Sequence, residues 1–190
     1  MNQRNVCLSL LVLVPLLALG QRKDVEGMRY LDENRRPAQR EQIIIPNVGA
    51  YQVLKCDFHM HTVFSDGNVW PTVRNQEVWQ EGLDAYAITD HIEYTPHKED
   101  VIVNHNRGYE LLKESAAKNN LILLKGNELT RDTPPGHFNA LYNSDASEYI
   151  VSRDTALDKE ALMKASAQNA FIFCSGNGYC DIFSTGICSL

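Results

Sequence analysis

Two histidines one residue apart, His59 and His61, end the run Lys55-Cys56-Asp57-Phe58-His59-Met60-His61. On a strand the side chains alternate with period 2, so both imidazoles point the same way. Their Cα atoms are then roughly 6.5 Å apart, and rings at that spacing converge on one metal ion. Asp66 follows in Ser65-Asp66-Gly67, a good turn sequence, and offers a hard oxygen ligand just beyond the turn. Asp90-His91, Glu128 and His137 each stand beside an apolar run further along the chain. Each of these alone has a plain structural reading. A lone histidine beside a strand is more often a hydrogen-bonded core residue than a ligand. Asp66 reads as a turn residue, Asp90 as a helix N-cap and Glu128 as the partner of Arg131 in a salt bridge. A pair of imidazoles on one face has no such cheap explanation. His97 and His105 share a polar stretch with Lys98 and Arg107 and read as solvated loop residues.

The elements that must carry these residues follow from the apolar patterning. Residues 51–60 read as a first strand, after a β-branched segment at 42–47 that forms either a short strand or an edge packing piece. Residues 68–84 carry near-helical apolar spacing, with Pro71 suited to a first turn and Gly82 to a C-terminus. Strands at 83–89, 121–127, 137–142 and 170–173 and helices at 109–118 and 157–169 complete the pattern. Strand and helix alternate as in a parallel α/β sheet or barrel, where chemistry gathers at the C-terminal strand ends. His59, His61, Asp90, His91 and Glu128 all fall at such ends, whereas His137 sits at the start of its strand or in the loop before it.

The 190-residue chain fits one domain with a real core; hydrophobic content is 44% and charged content 22%. A formal charge of −6 argues against a nucleic-acid binder that works by neutralising phosphates, but it leaves a small phosphate ester open where metal ions supply local positive charge. Residues 1–20 read as a signal peptide: Arg4, an apolar run from Val6 to Leu19 too short for a stable membrane span, and small residues before a cleavage point near Gly20. Export to the periplasm or the medium follows from that reading. Residues 21–50 read as a linker and short strand, 51–173 as the α/β domain and 174–190 as an atypical cysteine-containing tail. Cys56 reads as a small core residue.

His-x-His at the first strand, Thr-Asp-His at the second, Glu at the third and Gly-His at the fourth together resemble the polymerase and histidinol phosphatase (PHP) family of metal-dependent phosphoesterases, over about residues 51–142. The resemblance implies a distorted TIM-like (β/α)7 barrel, of which this chain would hold about five of the seven units. It also implies up to three divalent ions, usually zinc, manganese, iron or magnesium. On that reading His59 and His61 hold the first metal, Glu128 bridges two, and His137 serves the second. Asp66, where many members have His, and His91 serve the third, while Asp90 stands behind them and orients an imidazole. Lys98, Arg107 and Arg131 are the cations expected to meet the rest of an anionic substrate.

The implied function is hydrolysis of a phosphate mono- or diester by metal-bound hydroxide. An amidohydrolase-type metal hydrolase and a non-catalytic metal-binding remnant are the alternatives. Members of the family continue past the fifth strand with a further His and a late Asp-x-His. Here Cys174, Cys180 and Cys188 fill the last stretch and no His follows His137. A C-terminally truncated family sequence is the favoured explanation, ahead of cysteines that replace the missing ligands.

Overall fold

The computed structural model describes residues 39–130, 136–149 and 158–175. Residues 1–20, read above as a signal peptide, residues 21–38 of the expected linker, Arg131 and the tail from residue 176, with Cys180 and Cys188, lie outside the described residues. Among the described residues no helix is long and apolar enough to cross a membrane.

In chain order the elements are β1 (Cys56–Met60), α1 (Pro71–Gln80), β2 (Ala85–Ile88), α2 (Arg107–Lys118), β3 (Ile122–Leu129), β4 (Phe138–Leu141), a 3₁₀ turn (Ala146–Tyr149), α3 (Asp158–Ala167) and β5 (Phe171–Cys174). They form an α/β fold on one five-stranded sheet in the order β1-β2-β3-β4-β5. β1, β2 and β3 are mutually parallel, as βα alternation requires. The remaining strands depart from the all-parallel expectation: β4 runs antiparallel to β3, and β5 antiparallel to β4. Only residues 130–137 separate β3 from β4, too few for the crossover helix that a parallel neighbour demands. Pairing with β4 also carries β3 through Leu129, so Glu128 lies within the strand rather than beyond its end.

Helix α1 starts with Pro71 in its first turn, and Gly82 ends its exit in a left-handed conformation (φ +74°), both as the spacing predicts. Strand β1 is shorter than expected. Tyr51 makes only an isolated bridge to Val48, and residues 42–47 form no strand. That segment is tied on by its backbone instead, with Glu41 N–H donating to Gln80 O and Lys55 Nζ to Ile43 O. Cys56 is an exposed free thiol rather than a core residue. It begins β1, which among the described residues is an edge strand of the sheet.

Alternation along the strands gives the sheet one covered face. Tyr86, Ile88 and Leu123 pack with Val78, Leu112 and Ala116 of α1 and α2. Leu129, Phe138, Ala140 and Ile172 pack with Ala161 and Ala165 of α3 and with Tyr149. The intervening residues Ile122 and Phe171 turn to the other face and are 48% and 61% exposed. On the covered face Tyr86 Oη donates to Asn75 Oδ1 at 2.7 Å, with both residues buried. Tyr86→Phe keeps the ring but strands the Asn75 oxygen, and is expected to destabilise the protein by about 1–3 kcal/mol. Urea denaturation of the two proteins measures it; equal stabilities would mean that the hydroxyl contributes nothing.

Candidate metal centre

Parallel β1, β2 and β3 end at the same edge of the sheet, and the side chains there meet around one carboxylate. His91, just past β2, makes an isolated parallel bridge with Glu128 of β3, which places their side chains side by side. Because β4 is antiparallel, its start rather than its end lies at this edge. His137 immediately precedes Phe138 and thereby arrives beside Glu128. β5 runs back the other way, so Ser175, just past it, reaches the same edge.

Glu128 is only 1% exposed. Its Oε2 lies 2.9 Å from His59 Nε2, 3.2 Å from His61 Nε2 and 3.5 Å from His91 Nδ1. Its Oε1 lies 2.6 Å from His137 Nδ1 and accepts from Ser175 Oγ at 3.3 Å. Burial alone would push this carboxyl up. Hydrogen bonds from His59 and His61, with the charges of His91 and His61, outweigh it and hold the carboxyl far below the usual range. The hydrogen bond to Glu128 in turn raises His59, against a partial desolvation that lowers it. His91 moves the other way, lowered chiefly by burial.

Asp66, 39% exposed at its side chain, closes a second corner: Oδ1 is 3.5 Å from His61 Nδ1 and Oδ2 is 3.5 Å from His91 Nε2. The two rings that it spans are stacked, with centroids 4.4 Å apart. Three groups of donor atoms therefore each lie within 4.8 Å of one another: His59, His61 and Glu128; His61, Asp66 and His91; His91, Glu128 and His137. His61, His91 and Glu128 each belong to two of the groups.

This donor set fits divalent cations. A buried carboxylate ringed by four imidazoles is compensated only if some rings carry protons, and a divalent ion supplies the same charge without them. Mixed imidazole and carboxylate ligands are a usual donor set for divalent metal ions.

Asp90 stands behind the cluster. It is buried, and its carboxylate does not meet a ring nitrogen. It accepts from Thr62 N–H (2.6 Å), Thr62 Oγ1 (2.7 Å) and Ser65 Oγ (2.8 Å). Ser65 Oγ is itself 3.4 Å from His61 Nδ1, so Asp90 reaches the imidazole through the turn. Burial raises the Asp90 carboxyl against those three bonds. Lys98 and Arg107 are exposed, one between β2 and α2 and the other opening α2, and neither side chain has a described contact with the cluster. Neither His97 nor His105 is fully solvated: His97 Nε2 is buried without a partner, and burial lowers His105.

Sequence reasoning missed several neighbours. Thr130 Oγ1 bonds His91 Nδ1, and its place just past the end of β3 was a usable signal. Ser175 was signalled by its place just past a strand end. Arg74, whose Nε donates to the His61 carbonyl at 2.9 Å, carried no signal.

The sign of the pH dependence follows from His59. Its folded pKa lies above the ordinary value, so the proton competes with metal into the neutral range, and metal must displace it. Apparent metal affinity is expected to rise from about pH 6 to about pH 8, with protons released on binding. Isothermal titration in two buffers of different ionisation enthalpy measures that release; pH-independent affinity would contradict it.

No family model and no curated protein matches the chain. Among solved structures, a two-domain Bacteroides vulgatus protein described as containing a predicted PHP-like metal-dependent phosphoesterase is 48% identical. The match covers 72% of this chain and 39% of that one, with a TM-score of 0.68. A Bifidobacterium adolescentis protein provisionally assigned as a metal-dependent phosphoesterase is 28% identical over 52% of this chain and 31% of its own (TM-score 0.39). An amidohydrolase from Chromobacterium violaceum, with bound sulfate and no metal, is 17% identical over 60% of this chain and 32% of its own (TM-score 0.39). The last two are too distant to bear on function. The ordered His-x-His, Asp-His, Glu and Gly-His positions, gathered at one sheet edge, and nearly half-identical sequence over most of its length place this chain in the PHP domain family.

Proposed function

We propose that this chain is the metal-binding part of a phosphoesterase that hydrolyses a small phosphate mono- or diester. The observation that carries the reading is Glu128, a buried carboxylate held within 3.5 Å of four imidazoles. His59, His61, Asp66, His91, Glu128 and His137 are the proposed ligands of divalent ions, with zinc, manganese and iron favoured over magnesium by the imidazoles. Divalent ions in such a site lower the pKa of coordinated water and neutralise charge on a phosphoryl group. The chain's own part is to hold its donors in place before any ion arrives. The imidazoles around Glu128 favour its ionised form, outweighing the burial that opposes it. The exposed Lys98 and Arg107, and Arg131 beyond the described residues, are proposed to meet the remainder of an anionic substrate. We take the five-stranded sheet to be part of the family's (β/α)7 barrel. The chain spans 39% of the length of the Bacteroides protein.

The test is metal content and turnover of the purified protein with chromogenic phosphate mono- and diesters. His59→Ala/His61→Ala and Glu128→Gln are each expected to lose bound metal and to lower phosphoesterase activity by about a hundredfold or more. Wild-type protein without metal, or variants that retain it, would overturn the site. Turnover of amide substrates alone would move the chain to the amidohydrolase alternative, and metal uptake without turnover to a binding role.

A further inference from the structure

His61 stands one residue past β1, where the ladder no longer holds the chain, and yet it is shared by two of the three donor groups. Its peptide must be fixed by other means. On one side Asp90 takes the next N–H, that of Thr62, together with the Thr62 and Ser65 hydroxyls. Beneath it Gly67 packs so closely that a Cβ there would lie 2.6 Å from the His61 carbonyl carbon and 2.7 Å from its oxygen. The remaining side is the carbonyl oxygen itself, and it accepts from Arg74 Nε at 2.9 Å.

We infer that Arg74 is a positioning residue for His61: its guanidinium, held from behind by Glu77, fixes the His61 peptide and so aims the imidazole at the metal. This rests on the metal-centre reading above. Arg74 is the fourth residue of α1 (Pro71–Gln80), in the turn of the helix that follows the Thr62–Trp70 connection from β1. Nη1 bonds Glu77 Oε2 at 2.7 Å, one helical turn on, which leaves Nε to point at the His61 carbonyl. The fork geometry matters. A guanidinium offers donors in two fixed directions at once, whereas an ammonium is a point charge on a flexible stem and cannot hold both partners in one orientation. Groups that act behind a ligand in this way commonly govern metal affinity, because a misaimed imidazole binds weakly even when it is present.

A role confined to joining α1 to the sheet would show in the stability of the metal-free protein and leave metal affinity alone. Cobalt(II) titration, read from its visible spectrum, separates the two. Arg74→Met is expected to weaken cobalt affinity by about 10–100-fold and to alter the spectrum. Arg74→Lys should recover part of the loss, and Glu77→Gln should weaken affinity in the same direction by less. Thermal unfolding of the metal-free variants is expected to stay close to wild type. Wild-type affinity and spectrum in Arg74→Met would overturn the inference, as would a loss of affinity matched by a collapse of metal-free stability. If Arg74→Met does not fold, Glu77→Gln decides: unchanged cobalt affinity there also overturns it. His59→Ala/His61→Ala serves as the control for the site itself. A wild type that takes up no cobalt would sink the metal centre, and this inference with it, whereas cobalt bound equally by wild type and Arg74→Met would sink this inference alone.

Discussion

Burying the Glu128 carboxylate is the constraint on which the rest of the sheet edge depends. An ionised carboxylate that is 1% exposed is costly unless every lone pair meets a donor or a cation. Here the compensation comes from four imidazoles and one hydroxyl, drawn from both sides of β3. Cations on flexible stems would have served for charge alone. Rings at and just past strand ends also hold their nitrogens at separations that suit a metal ion.

The change of strand direction at β4 is what completes that shell. In an all-parallel sheet the residue before a strand lies at the far edge from the residue after its neighbour. Reversing β4 brings the residue before it, His137, to the edge where β3 ends, and reversing again brings the residue after β5, Ser175, to the same edge. Glu128 is then approached from β1 and β2 on one side and from β4 and β5 on the other. The same reversal leaves the covered face continuous, because alternation is preserved across the antiparallel pairs and Leu129, Phe138 and Ile172 still point towards α3.

Asp90 shows how a second buried carboxylate takes another role within the same edge. It faces hydroxyls and an amide rather than rings, so burial raises its carboxyl while that of Glu128 is held down. Glu128 has the composition of a site for cations. Asp90 is suited to fixing the backbone, and what it fixes is the turn from Thr62 to Gly67 that carries Asp66 back towards His61 and His91.

Much of this was legible in the sequence for local reasons. Period-2 spacing put His59 and His61 on one face, apolar runs marked the five strands and three α-helices of the described residues, with β1 five residues shorter than its run, and the strand-end rule picked out His91. These features depend on neighbours along the chain. Others depended on partners far away in sequence. Among the described residues β1 is an edge strand, and Cys56 at its start is exposed, while residues 42–47 form no strand. Asp90 faces Thr62 and Ser65, 28 and 25 residues away, and Arg74 reaches His61 from a helix whose own pattern says nothing of it. The sequence by itself determined which groups this protein offers to a metal and the order in which they occur. The Gly-His motif already named His137 among them; how it reaches the edge where β3 ends was decided by the tertiary structure, because strand direction is set by pairing between segments and is not written in the residues of either one.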